Sequence, residues 1–121
     1  MEDNRPSTIF CDIDGTLVKH SSPDVVSDPN LELELLDGTI EKFREWDKKG
    51  YNIILITGRK ESLREATEKQ LQKAQIFYDK LIMGIGGGKR YIINDMKKNS
   101  TEEYAIAFNL KRNSGISSIK I

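Results

Sequence analysis

Cysteine is nearly missing from this 121-residue chain. The single cysteine, Cys11, cannot close an intramolecular disulfide, so the fold must rest on its core, as in reducing compartments. An excess of charge of either sign is missing too, because nineteen basic residues balance nineteen acidic ones. No global field draws such a chain to a membrane surface, or along a nucleic-acid backbone, where binding relies on many cations. Long apolar runs are absent. The longest unbroken aliphatic stretch, Ile53 to Ile56, falls far short of the roughly 20 residues that span a bilayer. Residues 1–7 are polar and carry no apolar signal core. These absences point to a cytoplasmic protein with no membrane partner. What is present is an ordinary globular composition, 37% hydrophobic and 31% charged. The length suits one domain over residues 1–121, large enough to bury a core unaided.

Strand and helix patterns alternate along the chain. Thr8-Ile9-Phe10-Cys11 is apolar and β-branched and ends at a carboxylate-glycine turn, as a buried strand does. His20 to Asp24 is a loop by composition, and His20, the only histidine, reads as an exposed loop residue. Leu31 to Leu35 alternates with period two and reads as a short extended arm, a candidate oligomer contact. A helix then opens with Asp37 or Thr39 as its N-cap. Ile40, Phe43 and Trp46 follow at helical spacing, and Gly50 stands where a C-terminal cap belongs. Tyr51 to Ile56 is the clearest buried strand, stopped by Thr57-Gly58-Arg59. Glu61 to Ala74 is a second helix and Lys80 to Met83 a third short strand. Gly84 to Gly88 is a glycine-rich loop. Tyr91-Ile92-Ile93 reads as a fourth strand ending at Asn94-Asp95. Residues 101–108 read as helix, with a last strand beginning at Ala107 as the alternative, and 114–121 as a loosely held tail. The alternation implies an α/β fold, a Rossmann-like three-layer sandwich with a mostly parallel central sheet and helices on both faces. In such sheets ligands bind beyond the carboxyl ends of the strands. Asp12, Asp14, Thr57, Asn94 and Asp95 all fall there.

Asp12 and Asp14 stand two apart at the end of a strand, where extended geometry directs both carboxylates to one side. Two such groups stay ionised together most readily when a cation joins them, and Mg²⁺ also favours phosphate oxygens. One carboxylate can attack phosphorus and form an acyl phosphate. Its neighbour can protonate the leaving alkoxide. The glycine run fails as a nucleotide loop: Met83 and Arg90 stand where a P-loop needs Gly and Ser or Thr.

The segment Asp12-Ile13-Asp14-Gly15-Thr16-Leu17, together with Ile56-Thr57-Gly58-Arg59, resembles the first and second motifs of the haloacid dehalogenase (HAD) superfamily of phosphohydrolases. The likeness runs from Ile9 to about Lys98. It implies that Asp12 is the nucleophile and Asp14 the general acid, then base. It implies that Thr57 holds a phosphoryl oxygen and that a lysine neutralises the phosphoryl group. Lys89 is assigned to that role, with Arg90, Lys97 and Lys98 as alternatives, because Lys89 lies only six residues before Asp95. Gly58 and Arg59 are assigned with Thr57 and Lys89 to substrate binding, a surface position being the equal alternative for Arg59. The expected Mg²⁺ ligands are Asp12, the Asp14 backbone carbonyl and Asp95, with Asn94 as their partner. The gaps between motifs leave no room for a cap, so the resemblance is to capless members with an open cleft or one closed by a neighbouring subunit.

The expected activity is Mg²⁺-dependent phosphomonoester hydrolysis through an aspartyl phosphate. A small phosphate ester is favoured over a macromolecule. The run from Ile82 to Asp95 resembles small phosphatases of sugar-phosphate and surface-polysaccharide metabolism. Nucleic acid is disfavoured by the balanced charge, though a nucleic-acid-end phosphatase remains an alternative. A signalling receiver domain is a rival of another class, but it would place its phospho-acceptor after the third strand. A non-catalytic phosphate-binding or metal-binding module is a second rival.

Overall fold

The computed structural model describes residues 3–121. Met1 and Glu2, the start of the polar segment read above, lie outside the described residues. Three parallel strands, β1 (Thr8–Asp12), β2 (Asn52–Ile56) and β3 (Lys80–Ile82), form one sheet in the order β1-β2-β3. A one-turn helix α1 (Pro23–Val26) and the longer α2 (Thr39–Lys48) separate β1 from β2. A 3-10 turn (Glu61–Leu63) leading into α3 (Arg64–Lys73) separates β2 from β3. This is the parallel α/β architecture expected from the alternating patterns, with the strands bounded within a residue or two of the sequence reading.

Register decides which side chains meet. Ile9 is level with Ile53, and Cys11 with Leu55, which is level in turn with Leu81. These residues share one face and are buried together with Phe43 and Trp46 of α2. Burying that apolar face offsets the ordering cost of the sheet, at about 25 cal/mol per Å² removed from water. The reverse face is more open, with Phe10 51% exposed and Ile82 41%.

Local chemistry differs from expectation at the start of α2. Gly38, in the left-handed region at φ 88°, is the N-cap, and no side chain caps the helix. The Thr39 hydroxyl instead donates to the Leu17 carbonyl at 2.7 Å, which ties α2 to the loop after β1. Gly50 does end the helix with a positive φ of 72°.

The Leu31–Leu35 arm is occupied within its own chain. Leu35 bridges Val18, Lys19 N–H donates to the Glu34 carbonyl at 2.9 Å, and Leu33 and Leu35 pack on the core. It is therefore not a free oligomer contact. Residues 114–121 are also held rather than loose. Ile116 is fully buried, Ile119 nearly so, and Ile116 N–H donates to the Asp37 carbonyl at 2.8 Å.

The expected fourth strand is not formed in the chain. No described residue from Lys89 to Leu110 belongs to a strand or helix. Only the eight residues Met83–Arg90 separate β3 from Tyr91, whereas a return to a parallel strand takes about a dozen or more. The 101–108 helix fails for a different reason. Ile106 and Phe108 find no surface to cover, and a short helix without a buried face is marginal in water.

Two measurements follow from this packing. Gly115 has φ +85°, and a Cβ there would lie 2.4 Å from the Asp37 carbonyl oxygen. Gly115→Ala should cost on the order of 2 kcal/mol in urea unfolding; an unchanged midpoint would mean the C-terminal segment is not docked. Burial raises the Cys11 thiol from its ordinary 9.0 to about 12, with the Asp12 charge adding to the shift. The folded state therefore keeps a proton that the unfolded chain releases. This contribution is complete below about pH 9 and is lost as pH climbs towards 12. Thiolate absorbance near 240 nm should stay absent from the folded protein at pH 10 and appear on unfolding.

Candidate active site

β1 ends at Asp12, and the chain then turns tightly. Ile13 is fully buried and anchors the turn. Its carbonyl accepts N–H bonds from Leu17 at 2.9 Å and Val18 at 3.2 Å, while Gly15 N–H reaches the Val18 carbonyl at 2.7 Å. With Ile13 pinned inward, Asp12 and Asp14 both line the cleft at the carboxyl end of the sheet. The cleft has a volume of about 1140 Å³ and is also lined by Thr57, Arg59, Lys89 and Arg90.

Asp12 is partly exposed and accepts two side-chain bonds. Thr16 Oγ1 donates to Oδ2 at 3.2 Å, and Arg90 Nη1 donates to Oδ1 at 3.2 Å. Arg90, an alternative to Lys89 in the sequence, is thus the cation that touches the nucleophile position. Lys89 lines the same cleft and is exposed.

Asp14 meets Arg59 in a two-bond fork, with Nε to Oδ2 at 2.9 Å and Nη2 to Oδ1 at 2.8 Å. The Arg59 side chain is 4% exposed. Its remaining terminal nitrogen, Nη1, donates to Thr67 Oγ1 at 3.1 Å and Gln70 Oε1 at 2.7 Å, both on α3. Gln70 is itself fully buried and passes its amide N–H groups to the Val26 and Asp28 carbonyls, at 2.9 and 2.7 Å. A buried arginine is tolerated when its charge is paired and its nitrogens are hydrogen-bonded, and each of the three nitrogens here has a partner. Arg59, expected at the substrate or on the surface, is not on the surface: it lines the cleft and braces the acid from within.

Thr57 is buried at the end of β2, where its N–H continues the sheet to the Ile82 carbonyl at 3.0 Å. Its hydroxyl accepts the Arg59 N–H at 3.1 Å. Gly58 is required by close approach, since a Cβ there would lie 2.9 Å from the Gly86 carbonyl oxygen. The glycine-rich loop is therefore folded against the Thr57 turn, and this carries Lys89 and Arg90 to Asp12. Arg112 and Asn109 also line the cleft. The Asn113 N–H donates to the Gly15 carbonyl at 2.8 Å. These C-terminal contributors have no motif in the sequence.

Asn94 and Asp95 are not brought to this cleft. Asp95 is exposed, lies 3.5 Å from Lys97, and belongs with Asn94 to a separate cavity of about 300 Å³ that shares no residue with the cleft. Lys97 and Lys98 are absent from the cleft lining as well. Of the expected Mg²⁺ ligands, Asp12 and Asp14 line the cleft and would hold the ion, Asp12 through its carboxylate and Asp14 through its backbone carbonyl, because Arg59 bonds both Asp14 carboxylate oxygens. Among the described residues no group of three or more His, Cys, Asp or Glu is arranged to hold a metal.

The sequence profile of the polynucleotide kinase PNKP phosphatase domain, HAD_PNKP, matches residues 6–110. The chain belongs to this HAD phosphatase family. No curated protein matches it. Among solved structures, a chain of the Pnkp1/Rnl/Hen1 complex is 29% identical with a TM-score of 0.56, over 71% of this chain and 30% of that one. A chain of the Pnkp1/Rnl/Hen1 RNA repair complex is 26% identical with a TM-score of 0.54, over 82% and 28%. The D,D-heptose 1,7-bisphosphate phosphatase from B. bronchiseptica, complexed with magnesium and phosphate, is 22% identical with a TM-score of 0.50, over 67% and 51%. The chain thus spans under a third of the Pnkp1-complex chains, and its likeness to the heptose enzyme concerns the fold. The HAD assignment expected from the Asp12 and Thr57 motifs and the Rossmann-like class expected from the alternating elements are both confirmed.

The two arginines of this HAD phosphatase site should differ sharply on substitution. Arg59→Ala strips a partly buried carboxylate and two buried side chains of their donor, and should cost about 3 kcal/mol of stability. Arg90→Ala breaks a half-exposed pair and should cost less than about 1 kcal/mol. Equal losses in chemical unfolding would contradict the brace role of Arg59.

Proposed function

We propose that the chain hydrolyses phosphate monoesters, with Asp12 as the nucleophile. The observation that carries this reading is the convergence of Asp12, Asp14, Thr57 and Arg90 on one open cleft at the carboxyl ends of β1 and β2. An Asp12 oxygen attacks phosphorus in line, the ester P–O bond breaks, and the leaving alkoxide takes a proton from Asp14. Each Asp14 oxygen keeps a second lone pair beyond its bond to Arg59, through which it can carry that proton. Water then attacks the aspartyl phosphate, with Asp14 accepting a proton, and inorganic phosphate leaves. Arg90 and Lys89 offset the charge of the phosphoryl oxygens, and the Thr57 hydroxyl donates to one of them.

The substrate class best supported is a phosphate at the end of a polynucleotide. The family profile supports it, and so does the cleft, open and rimmed by Lys60, Lys89, Arg90 and Arg112. This reading revises the preference for a small ester drawn from net charge, because a few local cations suffice to hold one terminal phosphate and its neighbour. A sugar phosphate is the second reading. It is favoured by the zero net charge, which provides no long track for a nucleic-acid backbone. Mg²⁺ dependence is part of the proposal.

Release of phosphate from p-nitrophenyl phosphate should be measurable, should stop with a chelator and should return with Mg²⁺. Asp12→Asn should lower kcat by at least about a thousandfold with the fold intact by circular dichroism. A variant that still turns over at more than a tenth of the wild-type rate would remove Asp12 from the reaction. Comparing kcat/KM on a terminally phosphorylated oligonucleotide and on hexose phosphates separates the two substrate readings.

A further inference from the structure

We infer that Gln70 is a positioning residue of the proposed phosphatase site, coupling the orientation of Asp14 to the α1 wall of the cleft. The kinetic consequence rests on the phosphatase reading; the coupling itself rests on hydrogen bonds alone. Gln70 lies on α3, is fully buried and does not line the cleft. It acts on Asp14 through Arg59.

The Gln70 amide is used at both ends. Its Oε1 accepts from Arg59 Nη1 at 2.7 Å, and its Nε2 donates to the Val26 carbonyl at 2.9 Å and the Asp28 carbonyl at 2.7 Å. A guanidinium only donates and a backbone carbonyl only accepts, so the amide has a single allowed orientation. Glutamate would suit Arg59 but repel both carbonyls. Methionine would suit neither. In a fully buried position each unmet polar group is costly, so the site selects a neutral side chain that accepts on one side and donates twice on the other.

Both carbonyls belong to the cleft wall, where Ser21, Pro23, Asp24, Val26 and Ser27 face the open space. α1 is one turn long, its N-cap Ser22 makes no side-chain bond, and Val26 is its single buried residue. A helix so short does not hold itself together. The Gln70 amide fixes it at Val26 and again just past its end, at Asp28. Among the described residues, Gln70 alone bonds both the Arg59 guanidinium and the α1 segment's backbone. Thr67 shares Arg59 Nη1, at the longer distance of 3.1 Å, and makes no bond to the wall.

The consequence falls on the first chemical step. An alkyl ester releases an alkoxide, so its P–O bond breaks as the leaving oxygen takes the Asp14 proton. p-Nitrophenolate leaves as a stable anion and needs no proton. An Asp14 that has lost its fixed orientation therefore slows the alkyl ester far more than the nitrophenyl ester. A loss of folded protein would lower both rates equally. The comparison is made on kcat/KM, which reports formation of the aspartyl phosphate, before the water step that both esters share.

Ethyl phosphate and p-nitrophenyl phosphate test the kinetic half. Gln70→Met should lower the ratio of their kcat/KM values, ethyl over nitrophenyl, at least about tenfold. Gln70→Glu still accepts from Arg59 and should bring that ratio back to within about threefold of wild type. Gln70→Asn, whose amide stops one methylene short of Arg59, replaces Gln70→Met if the latter does not fold. Amide hydrogen exchange tests the tie to the wall. Residues 22–28 should exchange at least about tenfold faster in both Gln70→Met and Gln70→Glu, with β2 protected as in the wild type. An unchanged ratio in Gln70→Met overturns the positioning of Asp14. Unchanged exchange at 22–28 overturns the tie to α1. A wild type that hydrolyses neither ester overturns the phosphatase reading and the kinetic half with it, while the exchange result still decides the tie.

Discussion

The Arg59 guanidinium is the joint on which the site depends. Two of its nitrogens grip Asp14, and the third reaches Thr67 and Gln70 on α3. Gln70 extends the chain of bonds to the Val26 and Asp28 carbonyls at the cleft wall. One buried cation therefore locks the loop after β1, the turn after β2, helix α3 and the α1 segment into a single arrangement. Burying such a charge is costly unless all its donors are matched. Moving Asp14 would leave an unpaired charge in the interior, and moving Thr67 or Gln70 would leave a buried N–H without an acceptor.

The Asp14 turn is secured from a second direction by the C-terminal segment. Asn113 bonds Gly15 and also accepts the His20 N–H, while Gly115 and Ile116 pack onto the Asp37 turn. Asp14 thus stands between a buried brace and an outer clasp, and Asp12 keeps the more open position beside Arg90. The difference in environment separates two chemically identical side chains. Asp12 stands open to the cleft, whereas Asp14 is held in a fixed orientation by Arg59. The cleft formed by the described residues is open, and under the proposed reading the cations at its rim would supply the selectivity.

Much of this was legible in the chain. Asp12-Ile13-Asp14-Gly15-Thr16 marked the acidic turn at the cleft because an apolar strand gives way there to two carboxylates and a glycine. Thr57 marked the end of β2 for a similar reason, since four consecutive aliphatic residues give way to a hydroxyl and a glycine. Arg59 was visible as a residue but not as a brace. Its partners Thr67 and Gln70 lie on a helix whose sequence gives no sign of which polar residues turn inward. Arg112 and Asn113 lie beyond every motif, in a tail whose composition looks unstructured, and their place at Gly15 follows from the burial of Ile116.

Tyr91 to Asp95 shows where pattern and topology part. The alternating sequence determined the parallel α/β class, the acidic turn and the strand-forming character of Tyr91-Ile92-Ile93, because these depend on local periodicity and on residues close in the chain. Tertiary structure alone decided which carboxylate is braced, which cation meets Asp12 and whether the fourth strand finds an edge in its own chain. Those outcomes depend on through-space packing and on the length of a connection, and a one-dimensional pattern records neither.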